Sequence, residues 1–218
     1  MTAPVKLIIF DCDGVIADSE RLAADLLVED LSALGMQITF DDVQRDFLGQ
    51  SYLSMASKLE ARFGRGLPEG FQQDYGAQLA RRFEKDLRTT PGFTVMLNRL
   101  SIPSCVATSS APERVARTLS PLQLADVFGP NVFTASQVDR GKPAPDLFLF
   151  AAQQMQTDPA DCLVIEDSAA GVTAARAAGM RVLHYRGGAH QPRPIEDVQA
   201  FDDWREFPGL LDQIAARG

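Results

Sequence analysis

The sequence predicts an α/β fold: a parallel sheet covered by helices and interrupted once by a helical insert. Three observations carry this prediction. Short apolar runs, each stopped by polar residues or glycine, recur along the chain as buried parallel strands do. Helical patterns separate the later runs, and alternation of strand and helix implies a parallel sheet with right-handed crossovers. Between the first run and the second, from about residue 19 to 88, the patterns are helical only.

The first run, Val5 to Phe10, enters Asp11-Cys12-Asp13-Gly14. The insert follows, with helices over Leu22 to Leu34, Asp41 to Phe47, Tyr52 to Phe63 and Phe71 to Leu87, punctuated by Gly35, Gly49, Gly64, Gly66 and Pro68. Thr90-Pro91-Gly92 marks the return to the core. Ser104 to Thr108 reads as the second strand, Asn131 to Thr134 as a weaker one, Cys162 to Ile165 and Arg181 to His184 as the last two. Helices are expected over Pro112 to Leu119, Pro145 to Gln154 and Ser168 to Ala178, the last closing on Gly179. An insert rooted at the end of the first strand overhangs the carboxyl ends of the strands, where such sheets bind ligands.

Composition narrows the function. The chain has 218 residues, 45% apolar and 23% charged, which suits a folded domain with one smaller insert and argues against disorder. A net charge of -8 disfavours nucleic acid and anionic membranes as partners, but leaves a small anionic substrate open, since that needs only local donors. Cys12, Cys105 and Cys162 have no CxxC spacing, so neither a disulfide framework nor a cysteine zinc site is expected. Leu7 to Phe10 is too short for a signal peptide or a membrane span, and a cytoplasmic location is expected. Gly64-Arg65-Gly66 follows no strand and lacks the dinucleotide spacing, and no GxxxxGK[ST] occurs. Two histidines and no GxSxG argue against Ser/His hydrolysis.

The chemistry gathers at strand ends. Asp11 and Asp13 end the first strand, Thr108-Ser109-Ser110 the second, and Glu166-Asp167-Ser168 the fourth; Lys142 lies in Arg140-Gly141-Lys142-Pro143 after the weak third. Each piece alone has a commoner explanation: a solvated turn, a helix N-cap, a surface lysine, acidic residues favouring a helix start. Their joint placement, in order and each at a carboxyl end, overturns these. Four gathered carboxylates repel one another and call for a hard cation such as Mg2+. Carboxylates, Mg2+, one lysine and hydroxyl or amide donors are the parts of phosphoryl transfer.

Phe10-Asp11-Cys12-Asp13-Gly14-Val15, Thr108, Gly141-Lys142-Pro143 with Asp146, and Ile165-Glu166-Asp167-Ser168-Ala169-Ala170-Gly171 resemble the four motifs of the haloacid dehalogenase superfamily, nearest to its phosphatase and β-phosphoglucomutase-like branch. The resemblance spans about residues 5 to 190. It implies a Rossmann-like core of strand order 5-4-1-2-3, comprising residues 1–15 and 89–218, with a helical cap over 16–88. It implies Asp11 as nucleophile, forming an aspartyl-phosphate, and Asp13 as acid and base. Mg2+ would sit between Asp11, Asp13 (through its carbonyl), Asp167 and, directly or indirectly, Glu166. Thr108, Ser109 and Lys142 would bind the transferring phosphoryl group. Specificity is expected from Glu20 in the linker and from Gln50 and Ser51 in a cap loop.

The function implied is a Mg2+-dependent phosphatase acting on a small phosphorylated metabolite, a sugar or sugar acid by family likeness, and working as a monomer. A dehalogenase is disfavoured because Asp13 supplies the acid that dehalogenases lack. A phosphosugar mutase is the alternative, disfavoured because Ala23 and Tyr52 stand where that enzyme has a histidine and an arginine. A non-catalytic binding protein on this fold is the third reading, disfavoured because neither the nucleophile nor the acid is missing. Cys12 reads as a buried inert thiol. Trp204 is expected to pack the C-terminal helix. His184 and His190 read as incidental to a glycine-rich loop, with a second metal site as the alternative.

Overall fold

The computed structural model describes residues 4–47, 52–190 and 192–216. It divides into two compact units: Met1–Asp18 with Arg88–Gly218, and Ser19–Leu87.

The first unit holds, among the described residues, a six-stranded parallel sheet. At its centre β1 (Leu7–Phe10) pairs with β2 (Ser104–Thr108) on one side and β4 (Cys162–Glu166) on the other. β3 (Val132–Thr134) lies beyond β2, and β5 (Arg181–Tyr185) beyond β4. β6 (Ala200–Phe201) adds an edge that the sequence pattern did not reveal, giving the order β3-β2-β1-β4-β5-β6. Every residue of β1 is buried, because successive side chains feed opposite faces. Ile8 and Phe10 enter one cluster with Phe93, Trp204 and Phe207; Leu7 and Ile9 enter another with Phe148, Ala151 and Ala174. The covering helices are α5 (Phe93–Leu97), α6 (Pro112–Leu119), α7 (Ala125–Phe128), α8 (Asp146–Gln154), α9 (Ala169–Ala177) and α10 (Phe207–Ala216). Trp204 packs edge-on to Phe207 at the start of α10 and stacks on Tyr185 with ring centres 4.6 Å apart.

The second unit consists of α1 (Ser19–Ala33), α2 (Phe40–Asp46), α3 (Tyr52–Phe63) and α4 (Phe71–Asp86). Leu27, Leu31, Val43, Leu59 and Phe71 form its own core. A reciprocal cap opens α2: Thr39 Oγ1 accepts from the Asp42 amide at 3.1 Å, and the Thr39 amide donates to Asp42 Oδ2 at 3.0 Å. Those bonds, with Arg45 and Arg62, hold the Asp42 carboxyl well below the usual carboxylate range. Ala23 is buried on α1, and its carbonyl accepts from the Tyr75 hydroxyl at 2.9 Å.

The segments of the first unit that lead into and out of the insert are fastened together. Ala17 bridges Thr89 in antiparallel fashion, the Asp18 amide donates to the Arg88 carbonyl at 3.0 Å, and the Thr90 amide to the Ile16 carbonyl at 2.9 Å. The buried Thr90 hydroxyl donates to the Val15 carbonyl at 2.5 Å and accepts from Trp204 Nε1 at 2.9 Å.

Candidate active site

The carboxyl ends of β1, β2 and β4 adjoin in the sheet, so the residues that follow them share one edge. Lys142, in the loop before α8, lies at the centre of this edge. Its Nζ donates to Asp11 Oδ1 at 2.5 Å, to Glu166 Oε1 at 2.6 Å and to the Ala107 carbonyl at 3.0 Å, which uses all three ammonium hydrogens. It also lies 4.8 Å from the centre of the Phe148 ring. Burial alone would lower its pKa, but Asp11 and Glu166 hold it above its ordinary value.

Asp11, Glu166 and Asp167 crowd one buried ammonium. Burial raises the Asp11 carboxyl well above its usual range; Lys142 opposes this, and the Glu166 and Asp167 charges add to it. Burial likewise raises Asp167, with Glu166 repelling it further. Glu166 is fixed at its other oxygen, which accepts from the Ser168 amide and hydroxyl, both at 2.9 Å. Ser168 is in turn the N-cap of α9, accepting from the Gly171 amide at 3.0 Å. The helix-start reading of Glu166-Asp167-Ser168 therefore holds for Ser168, while both carboxylates belong to the buried cluster.

Asp13 stands in the turn after β1. Its Oδ2 accepts from Ser110 Oγ at 2.6 Å, and its Oδ1 pairs with Arg114 Nη2 at 3.1 Å. Thr108 is buried, with Oγ1 accepting from the Ser110 amide at 3.1 Å, and Ser109 is exposed beside it. The N-cap of α6 is Ala111, without a side-chain cap bond, so Thr108-Ser109-Ser110 does not serve as that helix's cap. Asp146, quoted with the lysine motif, instead pairs with Arg140 at 2.8 Å, and that pair lowers its pKa. Cys12 is buried, and burial pushes its thiol well above the ordinary value.

The sequence reading missed two kinds of residue. Ser110 reads from the sequence as part of the second strand's polar end with no role of its own, and Arg114 is one unremarked residue of the helix expected over Pro112 to Leu119, yet a helix beginning at a strand's carboxyl end carries its first turn to the same edge. The histidines are not incidental. His184 Nε2 lies 3.1 Å from the Asp167 carbonyl oxygen, and His190 Nε2 lies 2.8 Å from Asp167 Oδ2. Of the expected specificity residues, Glu20 lies in the first turn of α1 in the helical unit, and Gln50 and Ser51 fall outside the described residues.

Among the described residues no three His, Cys, Asp or Glu side chains gather closely enough to enclose a metal unaided. Mg2+ needs less, since it binds through one or two carboxylates with carbonyl, water and phosphate oxygens. Hard oxygen donors on Asp11, Asp167 and the Asp13 backbone, with more carboxylate than Lys142 alone can balance, suit such an ion.

Residues 5–179 match the family of haloacid dehalogenase-like hydrolases. The chain belongs to that family. This hydrolase is 26% identical to the 6-phosphogluconate phosphatase of Escherichia coli over 209 residues, covering 94% of each chain. It is 33% identical to the probable pseudouridine-5'-phosphatase of Drosophila melanogaster over 186 residues, covering 80% of this chain and 79% of the relative. A crystal structure of a conserved haloacid dehalogenase-like protein of unknown function from Agrobacterium tumefaciens superposes with a TM-score of 0.87 at 30% identity, covering 97% of this chain and 99% of that one. The hydrolase is a phosphoric monoester hydrolase, as these phosphatase relatives indicate. Among its described residues no helix is long and apolar enough to cross a membrane.

Proposed function

We propose that the protein is a Mg2+-dependent phosphatase that hydrolyses a small sugar phosphate or sugar-acid phosphate through an aspartyl-phosphate on Asp11. The observation that carries this reading is the pairing of Asp11 with buried Lys142, two residues before a second aspartate held by Ser110 and Arg114. The names of the relatives, 6-phosphogluconate phosphatase and pseudouridine-5'-phosphatase, support the substrate class.

Asp11 would attack phosphorus through a carboxylate oxygen as the ester P–O bond breaks. Asp13 would give its proton to the departing alkoxide, then take one from the water that attacks the aspartyl-phosphate, freeing Asp11 and inorganic phosphate. Thr108 and the Ser109 amide would hold the phosphoryl oxygens. Lys142 would offset charge on the nucleophile and on the phosphoryl group. Asp11, Asp167 and the Asp13 carbonyl would hold Mg2+, with Glu166 as a direct or outer ligand, and the ion would supply charge neutralisation at the phosphate.

The helical residues 16–88 would act as a cap over the core of 1–15 and 89–218, with Glu20, Gln50 and Ser51 selecting the leaving group. Buried Ala23, placed where a mutase would need a histidine, favours hydrolysis over isomerisation. A screen of phosphate release across phosphorylated sugars and sugar acids with Mg2+ tests the reading, with Asp11→Asn as the blank. Release from at least one such substrate, abolished in Asp11→Asn, is the expected result. Undiminished release by Asp11→Asn, or conversion of β-glucose 1-phosphate into glucose 6-phosphate, would overturn it.

A further inference from the structure

The loop after β5 brings an imidazole into the acidic cluster, and the core is shaped around it. His190 is 4% exposed, and its Nε2 meets Asp167 Oδ2 at 2.8 Å. Two glycines make room for the pair. A Cβ on Gly14, at the end of the first motif, would stand 2.2 Å from Asp167 Oδ2 and 2.9 Å from His190 Cε1. One on Gly188 would stand 2.6 Å from His190 Nδ1 and 3.0 Å from the Gly14 carbonyl oxygen. The loop is tied down beside the ring, where the Ala189 amide donates to Asp18 Oδ1 at 2.8 Å. From the strand itself, His184 reaches the Asp167 carbonyl oxygen at 3.1 Å. A carbonyl oxygen only accepts, and so does the ionised carboxylate that would bind a cation, so both rings then donate from Nε2 in these bonds. Asp167 is thus gripped twice, at its backbone by His184 and at its side chain by His190.

We propose that His190 is a positioning residue for Asp167, holding one carboxylate oxygen so that the other is presented to the divalent cation. The inference rests on the Mg2+ reading above. It assigns no metal contact to His190 itself, because Nε2 is already turned to Asp167. Partners of this kind fix the orientation of a ligand, and their loss weakens metal binding about ten- to a hundredfold.

Calorimetric titration of the full chain with MgCl2 alone tests this, comparing wild type, His190→Ala and His190→Gln. Glutamine carries an amide N–H to about the reach of Nε2, so it should bind Mg2+ nearly as wild type does, whereas alanine should raise the dissociation constant at least about tenfold. A smaller rise in His190→Ala overturns the proposal. So does a glutamine variant as weak as alanine, since bulk and not the N–H would then be what matters. Should the alanine variant fail to fold, His190→Asn takes its place, filling the space but stopping short of Asp167, under the same threshold. Wild-type protein that binds no Mg2+ overturns this inference and the Mg2+ reading together. Wild type that binds while the variants match it overturns this inference alone.

Discussion

Gly171 lies against the Glu166 carboxylate so closely that a Cβ there would stand 1.8 Å from Oε1. The first turn of α9 is thus built over the side chain that Lys142 also grips. Gly171→Ala should evict that carboxylate from its place between Lys142 and Ser168. Overpacking of this kind costs about 1–3 kcal/mol, which urea unfolding can read. Phosphate release should fall with it, because Lys142 loses one of its two carboxylate partners. Unchanged activity would show that the position of Glu166 is unimportant.

Asp13 and Ser110 can be separated by choice of leaving group. Asp13→Asn should slow hydrolysis of alkyl phosphates about 10²- to 10⁴-fold, the usual worth of general acid–base catalysis. Ser110→Ala should act in the same direction but less, since Asp13 keeps Arg114. With p-nitrophenyl phosphate, whose leaving group needs no proton, the Ser110→Ala loss should shrink. Equal losses on both substrates would place Ser110 in phosphate binding.

Removing divalent cations should stop turnover, and Mg2+ should restore it. Mg2+ should also raise the melting temperature in proportion to the logarithm of its concentration above the dissociation constant, as binding to the folded state alone requires. Turnover that survives exhaustive chelation would contradict this.

Thr90→Val should destabilise the protein without touching the acidic edge. It would leave the Val15 carbonyl and Trp204 Nε1 unpaired in the core. Each orphaned group costs about 1–3 kcal/mol. Chemical unfolding followed by fluorescence of the only tryptophan reads this directly.

Burial pushes the Tyr185 phenol up to about 12. Its folded pKa exceeds the unfolded one, so the folded state keeps a proton that the unfolded chain has lost. The resulting stability is fully present below pH ~10 and is lost as pH rises from there toward 12. Ultraviolet titration should show one of the three tyrosines ionising near pH 12, a step absent in Tyr185→Phe. Ionisation of all three together near the ordinary value would refute the argument.

The strands and the first carboxylates were legible because a buried parallel strand is an unbroken apolar run, and Asp11 and Glu166 are the polar residues that end two of them. The helices of the insert were legible from their period, to within a few residues at their ends. β6 was not, because two residues carry no period. Nor were the long-range bonds of the site and the core. Arg114 meets Asp13 across 101 positions of sequence, and Thr90 meets Trp204 across 114. His190 read as incidental to a glycine-rich loop, with a second metal site as the alternative. The glycines that make room for it, Gly14 and Gly188, read locally as turn formers, and only the folded core shows what occupies the space they leave.

The clasp joining residues 15–18 to 88–90 bears on how such chains acquire new substrates. Backbone pairing of Ile16–Asp18 with Arg88–Thr90, the outermost bond running from Asp18 to Arg88, closes the core at the point where the helical segment departs and returns. Topologically the insertion is therefore a bead on a closed loop. Core contacts hold the chain path on either side, Thr90 to Val15 and Trp204 among them. A segment of different length or sequence could be exchanged at that point without altering the span it must bridge, and closing a longer loop adds only about 0.6 kcal/mol per doubling. Selection could then rework the inserted helices while the strand-end carboxylates stay as they are.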